Sequence, residues 1–267
     1  MTKRPAMLSV AGSDPSGGAG IQADLKTATA LGVYGGAVLT SLTAQNTLGV
    51  TGIFPVPPEF VVDQYEAVVA DLDVVAVKIG MLGTAEVVIA LAEAMRRLPV
   101  RNVVLDPVMV ATSGDRLVSD ETVAAIREHL LPLASVVTPN LPEAAALTGA
   151  GEPGDQEAMV EAGVRLRSLG AAAALVKGGH AHGPDATDVL VDADGSAVFA
   201  SVRVDTPNTH GTGCTLSSGI ASLLTYPMPL REAVQEAKRF LTGALRAGAD
   251  WTIGDGRSPV NHLWERE

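Results

Sequence analysis

Short apolar runs alternate with longer amphipathic segments along nearly the whole chain, and this alternation constrains the fold more than any other feature. Strands are predicted at 7–11, 37–42, 50–54, 74–79, 103–105, 135–138 and 171–177. Helices are predicted at 19–31, 57–72, 84–98, 119–130, from 141 onward, at 156–168, at about 212–224 and at 230–249. Residues 189–191 and 197–204 indicate a hairpin. Repeated strand–helix units predict a mostly parallel sheet with helices on both faces, within one α/β domain over residues 1–267.

Composition excludes several classes of protein. Hydrophobic residues make up 47% of the chain and charged residues 18%, so intrinsic disorder is not expected. The net charge of −11, without a basic cluster, argues against nucleic acid as the main partner. The single cysteine excludes an intrachain disulfide and a cysteine metal cluster. No apolar run reaches the roughly 18 residues of a membrane-spanning helix, so we expect a cytoplasmic protein with no membrane partner.

A glycine-rich loop follows the first predicted strand and opens the first predicted helix. Its sequence is GSDPSGGAG, residues 12–20. The segment narrowly misses a Walker A loop, because Gly18 and Ala19 stand where that motif has Lys and Ser/Thr. So many glycines exceed what a strand-to-helix turn requires, which favours a loop whose backbone approaches a ligand.

Two polar residues near these segments are candidates for recognition of a heterocyclic ring. The amide of Gln45 offers one donor and one acceptor, which matches the edge of an aminopyrimidine. Asp24 could accept a further hydrogen bond from a ring substituent. The alternative for each is an ordinary solvated or capping side chain.

Charged residues follow three further predicted strands. Asp106 and Glu143 are candidate Mg²⁺ ligands, since Mg²⁺ is held by few carboxylates and keeps much of its water. Asn140 and Glu143 also fit a capping box, in which Asn140 caps the helix and Glu143 reaches back to it. Lys177 ends a strand in a glycine-rich turn and is a candidate for contact with nucleotide phosphate.

The most informative segment, DTPNTHGTGC at residues 205–214, precedes a long helix. Gly211 and Gly213 would expose backbone N–H groups at the N-terminus of that helix, where the helix dipole favours an anion. Cys214 would lie in the first turn, and a cysteine at such a position is expected to have a lowered pKa. The alternative is that Cys214 is a small buried apolar residue.

Together these segments resemble the ribokinase-like kinases, and more narrowly the hydroxymethylpyrimidine/phosphomethylpyrimidine kinases of thiamine biosynthesis. The stretches that carry the resemblance are residues 11–26, 43–47, 78–82, 105–109, 138–143, 176–180 and 208–215, in family order. The resemblance implies a three-layer αβα fold and ATP-dependent phosphorylation of 4-amino-5-hydroxymethyl-2-methylpyrimidine, and then of its monophosphate. Alternatives are a pyridoxal or pyridoxine kinase and a non-catalytic pyrimidine-binding protein on the same fold. A homodimer is also expected.

The resemblance further implies roles for individual residues. The pyrimidine pocket would be lined by Gln45, Gly12, Asp24, Met81 and Val108. Mg²⁺ would lie near Asp106 and Glu143, and ATP near Asn140, Lys177 and Lys238. Most ribokinase-like enzymes carry an aspartate, the base that deprotonates the acceptor hydroxyl, where this chain has Cys214. The pyrimidine kinases resemble this chain in having cysteine there.

Overall fold

The computed structural model of the chain describes residues 3–109, 117–179 and 183–266. The strands are β1 (Ala6–Ala11), β2 (Tyr34–Leu39), β3 (Ser41–Asn46), β4 (Gly49–Pro55), β5 (Val74–Ile79), β6 (Asn102–Leu105), β7 (Val136–Val137), β8 (Ala174–Lys177), β9 (Asp185–Asp192) and β10 (Gly195–Val202). The helices are α1 (Gly20–Ala30), α2 (Pro58–Asp71), α3 (Ala85–Arg97), α4 (Asp120–Ala125), α5 (Leu141–Thr148), α6 (Gln156–Ser168), α7 (Thr212–Leu223) and α8 (Leu230–Ala247). A π-helical turn, Ile126–Leu130, continues α4.

Eight of the strands form one sheet in the order β10-β9-β8-β7-β6-β5-β1-β2. From β2 to β8 the neighbouring strands run parallel, and β9 and β10 add an antiparallel edge. The predicted mostly parallel sheet and the predicted hairpin are therefore both confirmed. Because β1, β5, β6, β7 and β8 are parallel, their carboxyl ends meet at one edge, where ligands bind in open α/β sheets.

The second predicted strand is divided in the structure. The chain leaves the main sheet at Thr40, whose buried hydroxyl donates to the Met81 carbonyl oxygen (2.6 Å). The following residues form β3, which pairs with β4 as a separate two-stranded antiparallel sheet. The hydrophobic pattern of residues 37–42 could not predict this division, because the hydrogen bond that fixes Thr40 is made to Met81, which is distant in sequence.

Helices cover both faces of the main sheet. Successive side chains of its strands point to opposite faces, and the apolar ones on each face are buried by helices. In β1, Met7 packs into the core beneath α1, α7 and α8, whereas Leu8 and Val10 pack into the core on the opposite face with α2 to α6. The expected three-layer αβα arrangement is confirmed. In the described part of the chain, no helix combines the length and apolar character that crossing a membrane requires.

The segment after α8 folds back across the start of α7. The Asn208 side chain donates to the carbonyl oxygens of Gly248, Ala249 and Trp251 at 2.8–3.0 Å. The backbone N–H of Arg257 in turn donates to the Thr47 carbonyl oxygen in the β3–β4 turn (3.2 Å). This segment therefore joins the loop before α7 to the small sheet.

Candidate active site

A cavity of about 1140 Å³ opens at the carboxyl ends of the parallel strands. All the predicted site residues except Asp24 line it: Gly12, Gln45, Met81, Asp106, Val108, Asn140, Glu143, Lys177, Gly211, Gly213, Cys214 and Lys238. The fold thus brings together residues from the seven motif stretches of the sequence, and Lys238, which lies outside them. His180, in the stretch 176–180, lies outside the described residues.

The glycine-rich loop closes tightly around the end of β1. Gly20 has a positive φ of +56°, and a Cβ there would lie 2.4 Å from the Gly12 carbonyl oxygen. A Cβ on Gly12 would lie 2.5 Å from the terminal methyl carbon of Met81. A side chain at either position would displace its neighbours. Because both residues are glycine, the loop backbone can lie directly against Met81 at one end of the cavity.

The structure corrects the expectation that Asp24 faces the ring. Asp24 is fully buried, and its Oδ2 accepts hydrogen bonds from Lys78 Nζ (2.9 Å) and Ser9 Oγ (2.6 Å). Burial raises the pKa of Asp24, although the neighbouring Lys78 acts to lower it. Lys78, rather than Asp24, lines the cavity. The Lys78 ammonium therefore stands between the carboxylate and the ligand space.

At the end of β6, Asp106 lies beside a cation and two hydroxyl groups. Lys177 Nζ donates to Asp106 Oδ1 (2.8 Å), and Thr138 Oγ1 contacts the same oxygen at 3.3 Å. Ser217 Oγ donates to Oδ2 (3.2 Å). Burial acts to raise the pKa of Asp106, but Lys177 and Lys78 outweigh it and hold that pKa below the ordinary value. Asp106 is therefore a buried anion.

The capping box predicted at the start of α5 is present. The Glu143 backbone N–H donates to Asn140 Oδ1 (2.9 Å), and Glu143 Oε2 accepts from the Asn140 backbone N–H (2.8 Å). Glu143 also lines the cavity, so its capping bonds leave it within reach of a ligand there. Burial, together with the nearby Asp106, raises the pKa of Glu143 to about 7 against the opposing effect of Lys177.

Asp106 and Glu143 fit a magnesium site of the open kind. In the residues the structure describes, no three His, Cys, Asp or Glu side chains come together as a metal-ion site. Mg²⁺ does not need three, since it commonly binds one or two carboxylates together with substrate phosphates and water. The raised pKa of Glu143 shows that burial and the nearby Asp106 disfavour the ionised form of its carboxyl group. A bound cation would favour that ionised form.

The start of α7 lies against Lys177 and Asp106. The helix begins at Thr212 after Gly211, which has a φ of +80°. A Cβ on Gly213 would lie 3.5 Å from Lys177 Nζ and 3.8 Å from Asp106 Oδ2. The first N–H groups of a helix have no partner within it, so the helix terminus offers donors beside Lys177. The anion site that the sequence predicts at Gly211 and Gly213 therefore stays a prediction, and Lys177 lies at the same position in the cavity.

The predicted low pKa of Cys214 is wrong. Burial raises the pKa of the thiol to about 11, and Asp24 and Asp106 add to this effect while Lys78 opposes it. The sequence shows the helix N-terminus but does not show the two carboxylates that the fold places near the sulfur. Cys214 is therefore a neutral thiol at neutral pH in the ligand-free protein.

Lys238 also lines the cavity, and it is held by Asp188, a residue that the sequence did not single out. Lys238 Nζ donates to Asp188 Oδ2 (2.6 Å), and Asp188 Oδ1 accepts from the Gly178 backbone N–H (3.0 Å). The available signal was a carboxylate in β9 that directly precedes the apolar residues Val189, Leu190 and Val191. Lys78, a lysine within an apolar strand, carried the same kind of signal.

Comparison with known proteins agrees with this geometry. The family described as phosphomethylpyrimidine kinase matches residues 14–261. The chain is 54% identical to the hydroxymethylpyrimidine/phosphomethylpyrimidine kinase of Rhizobium meliloti, over 96% of each protein. It is 52% identical to the thiamine biosynthesis bifunctional protein ThiED of Geobacter sulfurreducens, covering 99% of this chain and 53% of that protein.

A solved structure shows the same fold. The ADP complex of Bacillus subtilis pyridoxal kinase superposes with a TM-score of 0.90 at 35% identity, covering 99% of each chain. The ribokinase-like fold inferred from the motifs is thereby confirmed. With a family match over most of its length and a relative at 54% identity, the chain belongs to the phosphomethylpyrimidine kinase family.

Proposed function

We propose that the protein transfers the γ-phosphoryl group of ATP to the hydroxymethyl group of 4-amino-5-hydroxymethyl-2-methylpyrimidine, and a second one to the monophosphate, in thiamine biosynthesis. One observation carries the proposal. The start of α7, Lys177 and Asp106 converge in the cavity that also contains Gln45. A phosphoryl site at α7 and a ring-recognition site at Gln45 would thus share one cavity, and members of the family are named for these two substrates.

At one end of the cavity, Gln45 would recognise the aminopyrimidine edge with its amide. Thr43 Oγ1 donates to Gln45 Oε1 (3.2 Å), which limits rotation of the amide. Gly12, Met81 and Val108 would enclose the ring. Asp24 would act only through Lys78, the cation that it holds in place.

At the other end, the acceptor oxygen would attack the γ-phosphorus while the bond to the β-phosphate oxygen of ATP breaks. Such transfers depend mostly on positioning and on stabilisation of negative charge. The N–H groups of residues 211–214 would stabilise the moving phosphoryl group, and Asn140, Lys177 and Lys238 would hold the nucleotide. Asp106 and Glu143 would hold Mg²⁺, which supplies charge neutralisation between phosphate oxygens.

Cys214 would contact the acceptor oxygen from the first turn of α7. Because burial raises the pKa of the thiol to about 11, Cys214 is poorly suited to accept a proton at neutral pH. We therefore propose that Cys214 places the acceptor beside the proposed anion site, and that the hydroxyl proton passes to an oxygen of the transferred phosphoryl group as the new bond to phosphorus forms.

The experiment that tests this function compares acceptors. Purified protein is assayed with ATP and Mg²⁺ against the pyrimidine alcohol, its monophosphate and pyridoxal, and the phosphorylated products are separated and identified. We expect turnover of both pyrimidines with a higher kcat/KM than for pyridoxal. A preference for pyridoxal, favoured only by the superposition on a pyridoxal kinase, would replace the proposal. Binding without turnover would indicate a non-catalytic pyrimidine-binding protein.

We also propose that residues 1–267 form one domain that works as a cytoplasmic homodimer. Leu42 and Phe54 pair across the small sheet and are 46% and 68% exposed, and Phe60 nearby is 56% exposed. An apolar surface of this kind favours contact with a second copy of the chain. Light scattering after gel filtration should give twice the chain mass, and replacing Phe54 by Glu should reduce it to one.

A further inference from the structure

The carboxylate of Asp14 and the imidazole of His210 join two loops of the active site. His210 Nε2 lies 2.8 Å from Asp14 Oδ2, although the residues are 196 positions apart in sequence. The Asp14 side chain is 2% exposed and the His210 side chain 9%. Both residues lie in the motifs of the sequence, yet neither has a role in the proposed chemistry.

Asp14 shapes the glycine-rich loop around itself. Its Oδ1 accepts from the Ser16 backbone N–H (2.9 Å), and its Oδ2 accepts from the backbone N–H groups of Gly18 (3.1 Å) and Ala19 (2.8 Å). Burial acts to raise the pKa of Asp14, but hydrogen bonds from His210 and Ser16 lower it to about 2. An ionised carboxylate therefore organises this loop at neutral pH.

His210 is fixed from the opposite side by the segment after α8. Its backbone N–H lies 3.4 Å from the Ser258 carbonyl oxygen, and it pairs with Pro259 in an isolated β-bridge. The next residue, Gly211, packs so closely that a Cβ there would lie 1.9 Å from the Gly18 carbonyl oxygen. The backbones of the two loops thus touch where the Asp14–His210 pair joins them.

These two loops carry opposite halves of the proposed reaction. The glycine-rich loop contributes Gly12 to the ring pocket, whereas the residues after His210 form the anion site. The separation of the two loops therefore sets how far the acceptor oxygen lies from the donors that stabilise the phosphoryl group. In such reactions a misplacement of about 1 Å can cost about 10²-fold in rate.

We propose that Asp14 and His210 are positioning residues that set the distance between the acceptor hydroxyl and the anion site at the start of α7. The inference rests on the proposed function for the identity of the acceptor. Both residues line the cavity, and in the proposed function neither side chain contacts the pyrimidine ring or ATP. Loss of the pair should therefore reduce kcat and leave both KM values nearly unchanged.

The test uses His210→Leu, which removes the donor, and His210→Gln, whose amide nitrogen can replace Nε2. With each pyrimidine, we expect His210→Leu to lower kcat about 10²-fold while the KM values for ATP and pyrimidine change less than about threefold. His210→Gln should recover most of the lost kcat.

The matched control is His262→Leu. His262 is also a buried histidine in contact with α7, with Nε2 3.0 Å from Thr215 Oγ1, but it does not bridge to the glycine-rich loop. The control should lose stability and keep its kcat. Urea unfolding and binding of a fluorescent ATP analogue establish that each variant is folded at the assay temperature.

Three results would overturn the proposal. One is a folded His210→Leu variant whose kcat is within threefold of the wild-type value. The second is an equal kcat loss in His262→Leu. The third is a rise in KM that accounts for the loss of activity in His210→Leu. If the wild-type protein phosphorylates pyridoxal and neither pyrimidine, the proposed function fails, and the same kcat ratios measured with pyridoxal still decide the role of the pair.

Discussion

Lys177 Nζ lies 2.8 Å from Asp106 Oδ1, although the two residues are 71 positions apart and end different strands. Each of the two thereby neutralises the other in the ligand-free protein. Both also lie beside Gly213, so a phosphate bound at the proposed anion site would share Lys177 with Asp106. A cation bound near Asp106 would free Lys177 to contact the nucleotide. Binding of the cation and binding of the nucleotide would therefore be linked through the Lys177–Asp106 ion pair.

Replacing Lys177 by Met should reduce both activity and stability. The substitution leaves Asp106 buried without its nearest cation, a change that costs about 3–5 kcal/mol of unfolding free energy for a buried pair. The rate should fall about 10²-fold or more, since a donor to the phosphoryl group is lost. Urea unfolding and initial rates measure the two effects.

A second substitution separates the two effects of Lys177→Met. Adding Asp106→Asn should restore much of the stability and none of the activity. The control is Arg231→Met, which breaks the more exposed pair with Asp192 and should change stability by less than about 1 kcal/mol. Equal losses from the two single variants would contradict the prediction.

Gln45→Leu should weaken recognition of the pyrimidine and spare the nucleotide. Leucine keeps roughly the same volume but can pair with neither the ring nitrogen nor the amino group. We expect a loss of about 2–4 kcal/mol in kcat/KM for the pyrimidine, with the KM for ATP nearly constant. Steady-state kinetics with each substrate varied in turn provide the measurement, and unchanged pyrimidine kinetics would remove Gln45 from the pocket.

Glu143→Gln separates the capping function of Glu143 from its proposed metal function. The glutamine amide oxygen can still accept from the Asn140 backbone N–H, so the start of α5 and the thermal unfolding temperature should change little. Activity should fall at low Mg²⁺ and recover partly at high Mg²⁺. Asp106→Asn should behave similarly in titrations of rate against Mg²⁺. Unchanged activity of Glu143→Gln at every Mg²⁺ concentration would show that capping alone accounts for Glu143.

The state of Cys214 can be measured by alkylation. With a thiol pKa of about 11, only about one molecule in 10⁴ carries the thiolate at pH 7. The rate of reaction with iodoacetamide in the ligand-free protein should therefore rise about tenfold per pH unit from 7 to 10, with no plateau. Free cysteine measured in parallel, which levels off near its ordinary pKa, is the reference. A plateau below pH 8 would restore the thiolate base that the sequence suggests.

The sequence was sufficient for those features that depend on local pattern. The capping box at Asn140 and Glu143 and the glycines before α7 are encoded within a few residues, and the structure shows both. The features it missed depend on distant neighbours. Asp24 is held away from the cavity by Lys78, and the thiol pKa of Cys214 is raised first by burial in the folded chain and then by carboxylates from two other parts of the sequence. No window of sequence contains those pairs.

The bonds from Asn208 to the carbonyl oxygens of Gly248, Ala249 and Trp251 also bear on the synthesis of the protein. A ribosome adds about 5–20 residues per second, and early segments can begin to fold while later ones are still being made. The parallel strands through β8 precede the loop that Asn208 fixes, whereas the partners of Asn208 follow α8. A nascent chain can therefore assemble most of its sheet before the loop that leads into α7 is fixed at Asn208, so this wall of the cavity is completed last.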